Sequence, residues 1–231
     1  MELFSKKTVE TLGPQDISLE MSHFSIFYKQ TCVFKKDSFK TSLSGWTWLH
    51  GGNGSGKSTF IRAMLGLLPH CKGQLCLLGK SPQKARCHIG YMPQKREENA
   101  LFLPTLSHVE SAIPARFGFF GAAQRKKKAE SLLMECGAAH LANRPLKVLS
   151  GGERQKVALA QAIAGDPALL ILDEPFIALD HRARTEIVDL LLSLEKKRHI
   201  GIFLATHEGM DLLPKMRRDL YLREGSLFDV P

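Results

Sequence analysis

The chain has 231 residues, 44% hydrophobic and 24% charged. These are the values of a globular protein of one large or two small domains, and they exclude a disordered chain, a collagen-like chain and a coiled-coil rod. Lys and Arg number 32 against 23 Asp and Glu, a formal charge of +9, which suits an anionic partner without choosing among nucleotide, nucleic acid and lipid. No stretch approaches the ~18 consecutive apolar residues of a membrane span, and Met1 to Glu20 lacks the apolar run of a signal peptide. The five cysteines form no C-x-x-C pair, which reads as a chain with reduced, idle thiols.

Residues 1–18 are polar and turn-rich, a loose lead-in. Ile17 to Tyr28 and Phe34 to Leu43 alternate apolar and polar residues and are predicted strands. Thr47 to Leu49 is a short strand running into a glycine cluster. Lys57 to Leu68 carries apolar residues at helical spacing and is ended by Pro69. Cys76 to Leu78 and His88 to Met92 are short strands. Residues 95–149 are predicted to be a mostly helical insert with a long helix from Ala122 to Leu141. A helix from Glu153 to Ala164 is stopped by Gly165-Asp166-Pro167. Ala168 to Leu172 is apolar without alternation, as in a parallel strand covered on both faces. A helix over 182–198 and a strand over 200–205 follow. The alternation of strands and helices predicts an α/β fold with a mostly parallel sheet.

Three motifs carry chemistry. Gly51-Gly52-Asn53-Gly54-Ser55-Gly56-Lys57-Ser58-Thr59 fits G-x-x-x-x-G-K-[ST], with a strand before and a helix after. Its glycines let backbone N–H groups turn toward phosphates, Lys57 reaches the β and γ phosphates, and the Ser58 hydroxyl is a Mg²⁺ ligand. In Leu169-Leu170-Ile171-Leu172-Asp173-Glu174, an apolar strand delivers two carboxylates to the sheet's carboxyl edge, where ligands of α/β folds bind. Asp173 suits Mg²⁺ through water, and Glu174 suits proton acceptance from an attacking water. In Leu149-Ser150-Gly151-Gly152-Glu153, two glycines at a helix start expose backbone donors beside a serine, a second anion site; Ser150 and Glu153 also stand at capping-box spacing.

The phosphate loop, LSGGE at 149–153 and ILDEP at 171–175, in this order, resemble the ATPase subunits of ATP-binding cassette (ABC) systems, over about residues 17 to 228. The resemblance implies a P-loop NTPase (RecA-like) core, an N-terminal antiparallel β region and a helical subdomain. Within one ABC ATPase domain (1–231), the core would be 17–98 and 158–231, and the helical subdomain 99–157 with the signature motif. ATP and Mg²⁺ are the implied cofactors. Gln94, after Tyr91-Met92-Pro93, looks like the glutamine loop, catalytic and a Mg²⁺ contact beside Ser58 and Asp173. Ala178-Leu179-Asp180 looks like the loop at the dimer seam, and His207 like the switch histidine, catalytic with Glu174. Tyr28, 23 residues before Gly51, resembles the aromatic that stacks on adenine, with Phe27 a rival on the opposite strand face. Two positions depart from the family pattern: Gly52, where Pro or another residue is frequent, and Phe176. Neither removes a catalytic group.

The resemblance further implies that one chain's LSGGE closes on the nucleotide of a second copy. The 54 residues between Gln94 and Leu149 fit a compact helical subdomain and exclude the long inserts of chromosome and DNA-repair ATPases. The single phosphate loop disfavours tandem translation factors. The expected role is the energising subunit of a transporter, with a membrane permease and a substrate-binding protein as partners, at the cytoplasmic face of the membrane. The segments 89–95 and 102–106 are similar to ATPases of zinc and manganese importers; lipid, haem or peptide export and scaffold ATPases of iron–sulfur cluster assembly stay open. Arg125 to Lys128 reads as a solvated helix face, so no nucleic-acid partner is expected. The histidines show no ligand spacing, so no transition metal is expected on this chain. Leu101, Phe102, Leu103, Phe117, Phe119 and Phe120 are expected to form either a docking groove for a membrane partner or part of a local core. Trp46 and Trp48 read as core or strand-face residues with no assigned role.

Overall fold

The computed structural model describes residues 17–94, 102–114, 121–208 and 210–230. Two sheets and a group of helices form the chain. The first sheet has the order β2-β1-β4, from β1 (Ser18–Tyr28), β2 (Thr31–Ser42) and β4 (Cys71–Leu77), all antiparallel. The β1 alternation breaks phase at its middle. Leu19 and Met21 are buried, then Phe24 and Ile26, because the pairing with β4 slips between Ser22 and Ser25 at His23, whose φ is 47°. A β-bulge of this kind shifts the side-chain faces by one residue. Opposite it, a Cβ on Gly73 would stand 2.1 Å from the His23 carbonyl oxygen, so only glycine fits there.

The second sheet has the order β5-β6-β7-β3-β8-β9. Strands β3 (Trp46–His50), β5 (Ile89–Met92), β6 (Leu169–Asp173), β7 (Gly201–Ala205) and β8 (Arg218–Arg223) are mutually parallel, and β9 (Ser226–Val230) turns back antiparallel on β8. Every residue of β6 and β7 is buried, as their unbroken apolar runs require. One face packs Trp46, Trp48, Leu170, Leu172, Ile202 and Leu204 into a core with the helices. The other packs Leu49, Leu169, Ile171 and Phe203 against α1 (Lys57–Met64) and the first sheet.

The predicted mostly parallel core, N-terminal antiparallel strands and helical subdomain are all present. Several bounds differ, for local reasons. Helix α1 ends at Met64 instead of Leu68, because Gly66 takes the left-handed conformation (φ 64°) that ends helices. The 122–141 helix is α4 (Ala122–Glu135) followed by a separate 3₁₀ turn, Ala139–Leu141. Gly137, at φ 65°, breaks it, and the Ala138 N–H returns to the Leu133 carbonyl at 2.7 Å. Strand β4 begins at Cys71, earlier than its apolar residues indicate, because β1 pairs with its polar half too. The short helix α2 (Pro82–Ala85), α3 (Thr105–Ala112) and strands β8 and β9 are additions.

Helices α3, α4 and α5 (Gly151–Ala162) pack together, and α5 also meets β5 and α6 (His181–Arg198). The 157/158 division therefore falls inside α5, one rod shared by both units. At the far end, Arg198 of α6 donates to Glu135 Oε1 (2.8 Å) and to Asp166 Oδ1 (2.9 Å), pinning α4 to the core. The basic run on α4 is only half solvated: Arg125 donates to the Glu110 and Ile113 carbonyls and Lys128 to Asp166, while Lys126 and Lys127 are exposed. No disulfide joins the cysteines, and burial pushes the Cys136 thiol up to about 12. Of the apolar segment around 101–120, Phe102 and Leu103 are exposed; Leu101, Phe117, Phe119 and Phe120 lie outside the described residues. No described helix is long and apolar enough to cross a membrane.

Candidate nucleotide site

Strand β3 ends at His50 and the chain turns through the glycine loop into α1. Gly54 and Gly56 hold φ of 76° and 99°, a left-handed backbone that glycine adopts without a Cβ penalty. Gly56 is the residue from which α1 starts, with no side-chain cap, so the first N–H groups of the helix face the cavity with the positive end of its dipole. Lys57, buried, donates to the carbonyls of Gly51 (2.7 Å) and Gly52 (3.2 Å). Its Nζ is 3.9 Å from Glu174 Oε1. Nothing stands within 4 Å of a Cβ on Gly52, so the departure there is free of steric demand.

Strand β6 delivers the carboxylates. Asp173 and Glu174 are both buried. Burial pushes the Asp173 carboxyl above the usual carboxylate range. A hydrogen bond with Ser58 opposes the shift, Glu174 adds to it, and Lys57 and Arg62 pull the other way. Asp173 Oδ1 and Ser55 Oγ are buried without a hydrogen-bond partner. Glu174 sits at φ 51°, an unusual backbone for a non-glycine residue, held by its N–H on the Ala205 carbonyl at 2.7 Å. Strand β7 then brings His207 onto Glu174: Nδ1 is 2.8 Å from Oε1. Opposite a carboxylate, Nδ1 carries the proton.

These groups line one cavity of about 450 Å³: Gly52 to Thr59, Gln94, Asp173, Glu174 and His207. The structure thus gathers the phosphate-loop residues, with Gly51 behind them, the two carboxylates, the histidine and the glutamine from four separate stretches of sequence. Gln94 also lines a second, larger cleft of about 1110 Å³ between the sheet and the helices, with Tyr91, Arg154 and Ile177.

Two sequence-predicted groups are elsewhere. Tyr28 is 71% exposed at the tip of the β1–β2 hairpin, and Phe27 is half-buried under the Lys72 ammonium; neither lines the cavity. Ser150, Gly151, Gly152 and Glu153 also lie outside it. They start α5 with a full capping box: the Glu153 N–H donates to Ser150 Oγ (3.3 Å) and the Ser150 N–H to Glu153 Oε2 (2.7 Å). The latter bond holds the Glu153 carboxyl below its usual range. The two glycines have a packing reason as well. A Cβ on Gly151 would meet Leu179 at 3.1 Å and one on Gly152 would meet Ala183 at 3.3 Å. Gln155, which sequence reasoning gave no role, donates to the Pro175 carbonyl at 2.6 Å, tying the signature helix to the residue after Glu174. No spacing pattern announces it.

Comparison with known proteins shows the family. The ABC transporter family model matches residues 34–177. The chain belongs to the ABC transporter family, as an ATP-binding subunit. It is 32% identical over 184 residues to the manganese transport system ATP-binding protein MntB of Bacillus subtilis, covering 78% of this chain and 73% of that one. It is 37% identical over 164 residues to the zinc import ATP-binding protein ZnuC of Pseudomonas aeruginosa, covering 69% of this chain but only 54% of the relative. Among solved structures it resembles cbiO1 of Clostridium perfringens, part of the cbiONQ ABC transporter complex, with a TM-score of 0.79 at 27% identity over 91% of this chain and 86% of that one.

Proposed function

We propose that this subunit hydrolyses ATP at the cavity between the glycine loop and the β6 carboxylates, and that hydrolysis energises import of a divalent metal ion such as zinc or manganese. The observation that carries the chemistry is the convergence of Lys57, Asp173, Glu174 and His207 on one side of a glycine cradle. Buried Asp173 Oδ1 has an unfilled acceptor position next to Ser58, which fits a hard cation's preference for oxygen ligands. Ser58 and Asp173 would hold Mg²⁺, with Gln94 at the cavity's rim. Bound there, the ion neutralises charge on the transferring phosphoryl group.

The chain's own residues do the rest. The glycine-loop N–H groups and the α1 N-terminus hold the phosphates, and Lys57 exchanges its two carbonyl acceptors for phosphate oxygens. Glu174 takes the proton of the attacking water, while His207 Nδ1 fixes the orientation of its carboxylate. LSGGE, outside the cavity of its own chain, would close on the nucleotide of a second copy. Tyr28 would stack on the adenine from its exposed hairpin tip.

The metal-ion cargo rests on the identity to the manganese and zinc transport proteins. Such a subunit works with a membrane permease and a substrate-binding protein, and would sit at the cytoplasmic face of the membrane through the permease. Two measurements test the reading. Purified chain should release phosphate from ATP only with Mg²⁺, and Lys57→Ala should abolish this; equal turnover in Lys57→Ala would remove the site. Chain expressed beside its neighbouring membrane-protein gene should co-purify with that protein in detergent and hydrolyse ATP faster when the binding protein is loaded with zinc or manganese. Stimulation by haem or peptide instead would replace the cargo.

A further inference from the structure

Trp48 and Trp46 stand two residues apart on one face of β3, and both are 5% exposed. Their indole N–H groups go to different places. That of Trp46 reaches Glu195 Oε2 on α6 at 3.3 Å. That of Trp48 donates, in a buried bond of 3.0 Å, to the carbonyl of Thr206, the residue before His207. Two further contacts fix the Trp48 indole. The His50 ring lies against it at 3.6 Å between centroids and stacks in turn on Tyr221 at 4.2 Å. The Arg217 guanidinium lies over it at 4.9 Å. Asp219 closes the circuit, taking His50 Nε2 at 2.9 Å and Arg217 Nε at 3.1 Å on the same oxygen.

The turn carrying His207 is therefore held on both sides. Trp48 holds Thr206, and Arg184 of α6 pairs with Glu208 at 2.6 Å. Between these anchors the His207 N–H donates to Glu174 Oε2 at 3.4 Å, and the ring, which meets Oε1 through Nδ1, has a side chain 48% exposed. A side chain left so open depends on its backbone for direction.

We infer that Trp48 is a positioning residue for hydrolysis: its indole N–H, aimed by His50 and Arg217, sets the Thr206–His207 backbone so that Nδ1 meets Glu174. The inference rests on the reading of the Glu174–His207 pair given above. It adds a mechanical link from β3, the strand that enters the glycine loop, to the turn that carries the histidine.

Substituting Trp48→Phe keeps an aromatic ring and removes the donor; Trp46→Phe does the same to an equally buried neighbour outside the link. Loss of one such hydrogen bond corresponds to about a tenfold change. Trp48→Phe should therefore lower kcat for ATP about tenfold, with KM for ATP within about twofold, while Trp46→Phe stays near wild type. Equal losses in both variants would mean that Trp48 serves packing only, and would overturn the inference. A second measurement does not require turnover. The chain has two tryptophans, so ¹⁵N labelling gives two indole signals, assigned with the two variants. His207→Ala should move the Trp48 signal and leave that of Trp46 in place; a Trp48 signal unmoved by His207→Ala would also overturn the inference. If the wild-type chain hydrolyses no ATP, the proposed activity fails, and the indole signals still decide whether Trp48 and His207 are coupled.

Discussion

At the residue scale, the site places two buried carboxylates side by side and treats them differently. Glu174 has Lys57 and His207 about its Oε1, whereas Asp173 leaves Oδ1 bare. Glu174→Gln should retain ATP affinity within a few-fold and stop turnover, because an amide of the same shape cannot accept the proton. Nucleotide binding by fluorescence and phosphate release, on one preparation, check this; wild-type turnover would remove the base. Asp173→Asn should behave otherwise. Its carboxyl is held above the usual range chiefly by burial, so the folded chain binds that proton more tightly than the unfolded one. Stability conferred by the site therefore falls as pH rises from the ordinary Asp value through the raised one. Replacing the charge with an amide should raise the melting temperature of the nucleotide-free chain at pH 7 and abolish Mg²⁺-dependent hydrolysis. A lower melting temperature would show that Ser58 and Lys57 outweigh the burial.

At the scale of elements, the Arg198–Glu135–Asp166 cluster joins α4, α6 and the loop before β6. Its groups are one-fifth to one-half exposed, and its fork geometry exceeds a single surface ion pair. Glu135→Gln should cost about 1–2 kcal/mol in urea denaturation at pH 7. The hydrogen bond from Arg198 holds the Glu135 carboxyl below its usual range. This stabilisation is therefore complete above the unfolded value of about 4.3, and is lost as pH falls through the lower folded value. The gap between the variant and wild type should narrow as pH falls below about 4.3 and close once the folded carboxyl is protonated; a gap that does not narrow would assign the cost to packing. Helix α5 shows how one element serves two units. Its capping box and Gln155 fix its start beside Pro175, and its other end lies on β5.

At the scale of the whole molecule, LSGGE lies outside the cavity that the glycine cradle lines, and its Gly151 faces the larger cleft. In the proposed reading, the signature's backbone donors reach a phosphate only across two copies. Glu174→Gln should therefore sediment as a dimer with ATP and as a monomer with ADP. Ser150→Arg should stay monomeric in both, since a long side chain would occupy the seam. One unchanged mass for Glu174→Gln in both nucleotides would dismiss the two-chain site.

The linear sequence was enough to determine the phosphate loop, the carboxylate pair and the α/β order. Each depends on a short stretch whose residue types and spacing carry their own physical reason: glycines before a Lys-Ser, an unbroken apolar run ending in acids, and two periodicities. His207 and Gln94 were also legible, but only through resemblance, because one histidine among nine has no local signature. Helix ends at Met64 and Glu135 were missed because Gly66 and Gly137, unremarkable in sequence, take left-handed conformations. The phase break at His23 was missed because it is set by pairing with β4, a partner about 50 positions away. Only the tertiary structure decided which residues meet: Trp48 with Thr206, Gln155 with Pro175, Arg198 with Glu135. These contacts join side chains to backbone or charge across distant parts of the chain. Hydrophobic spacing fixes which face of an element is buried, but the partner across that face is chosen by strand order and register, which no local pattern contains.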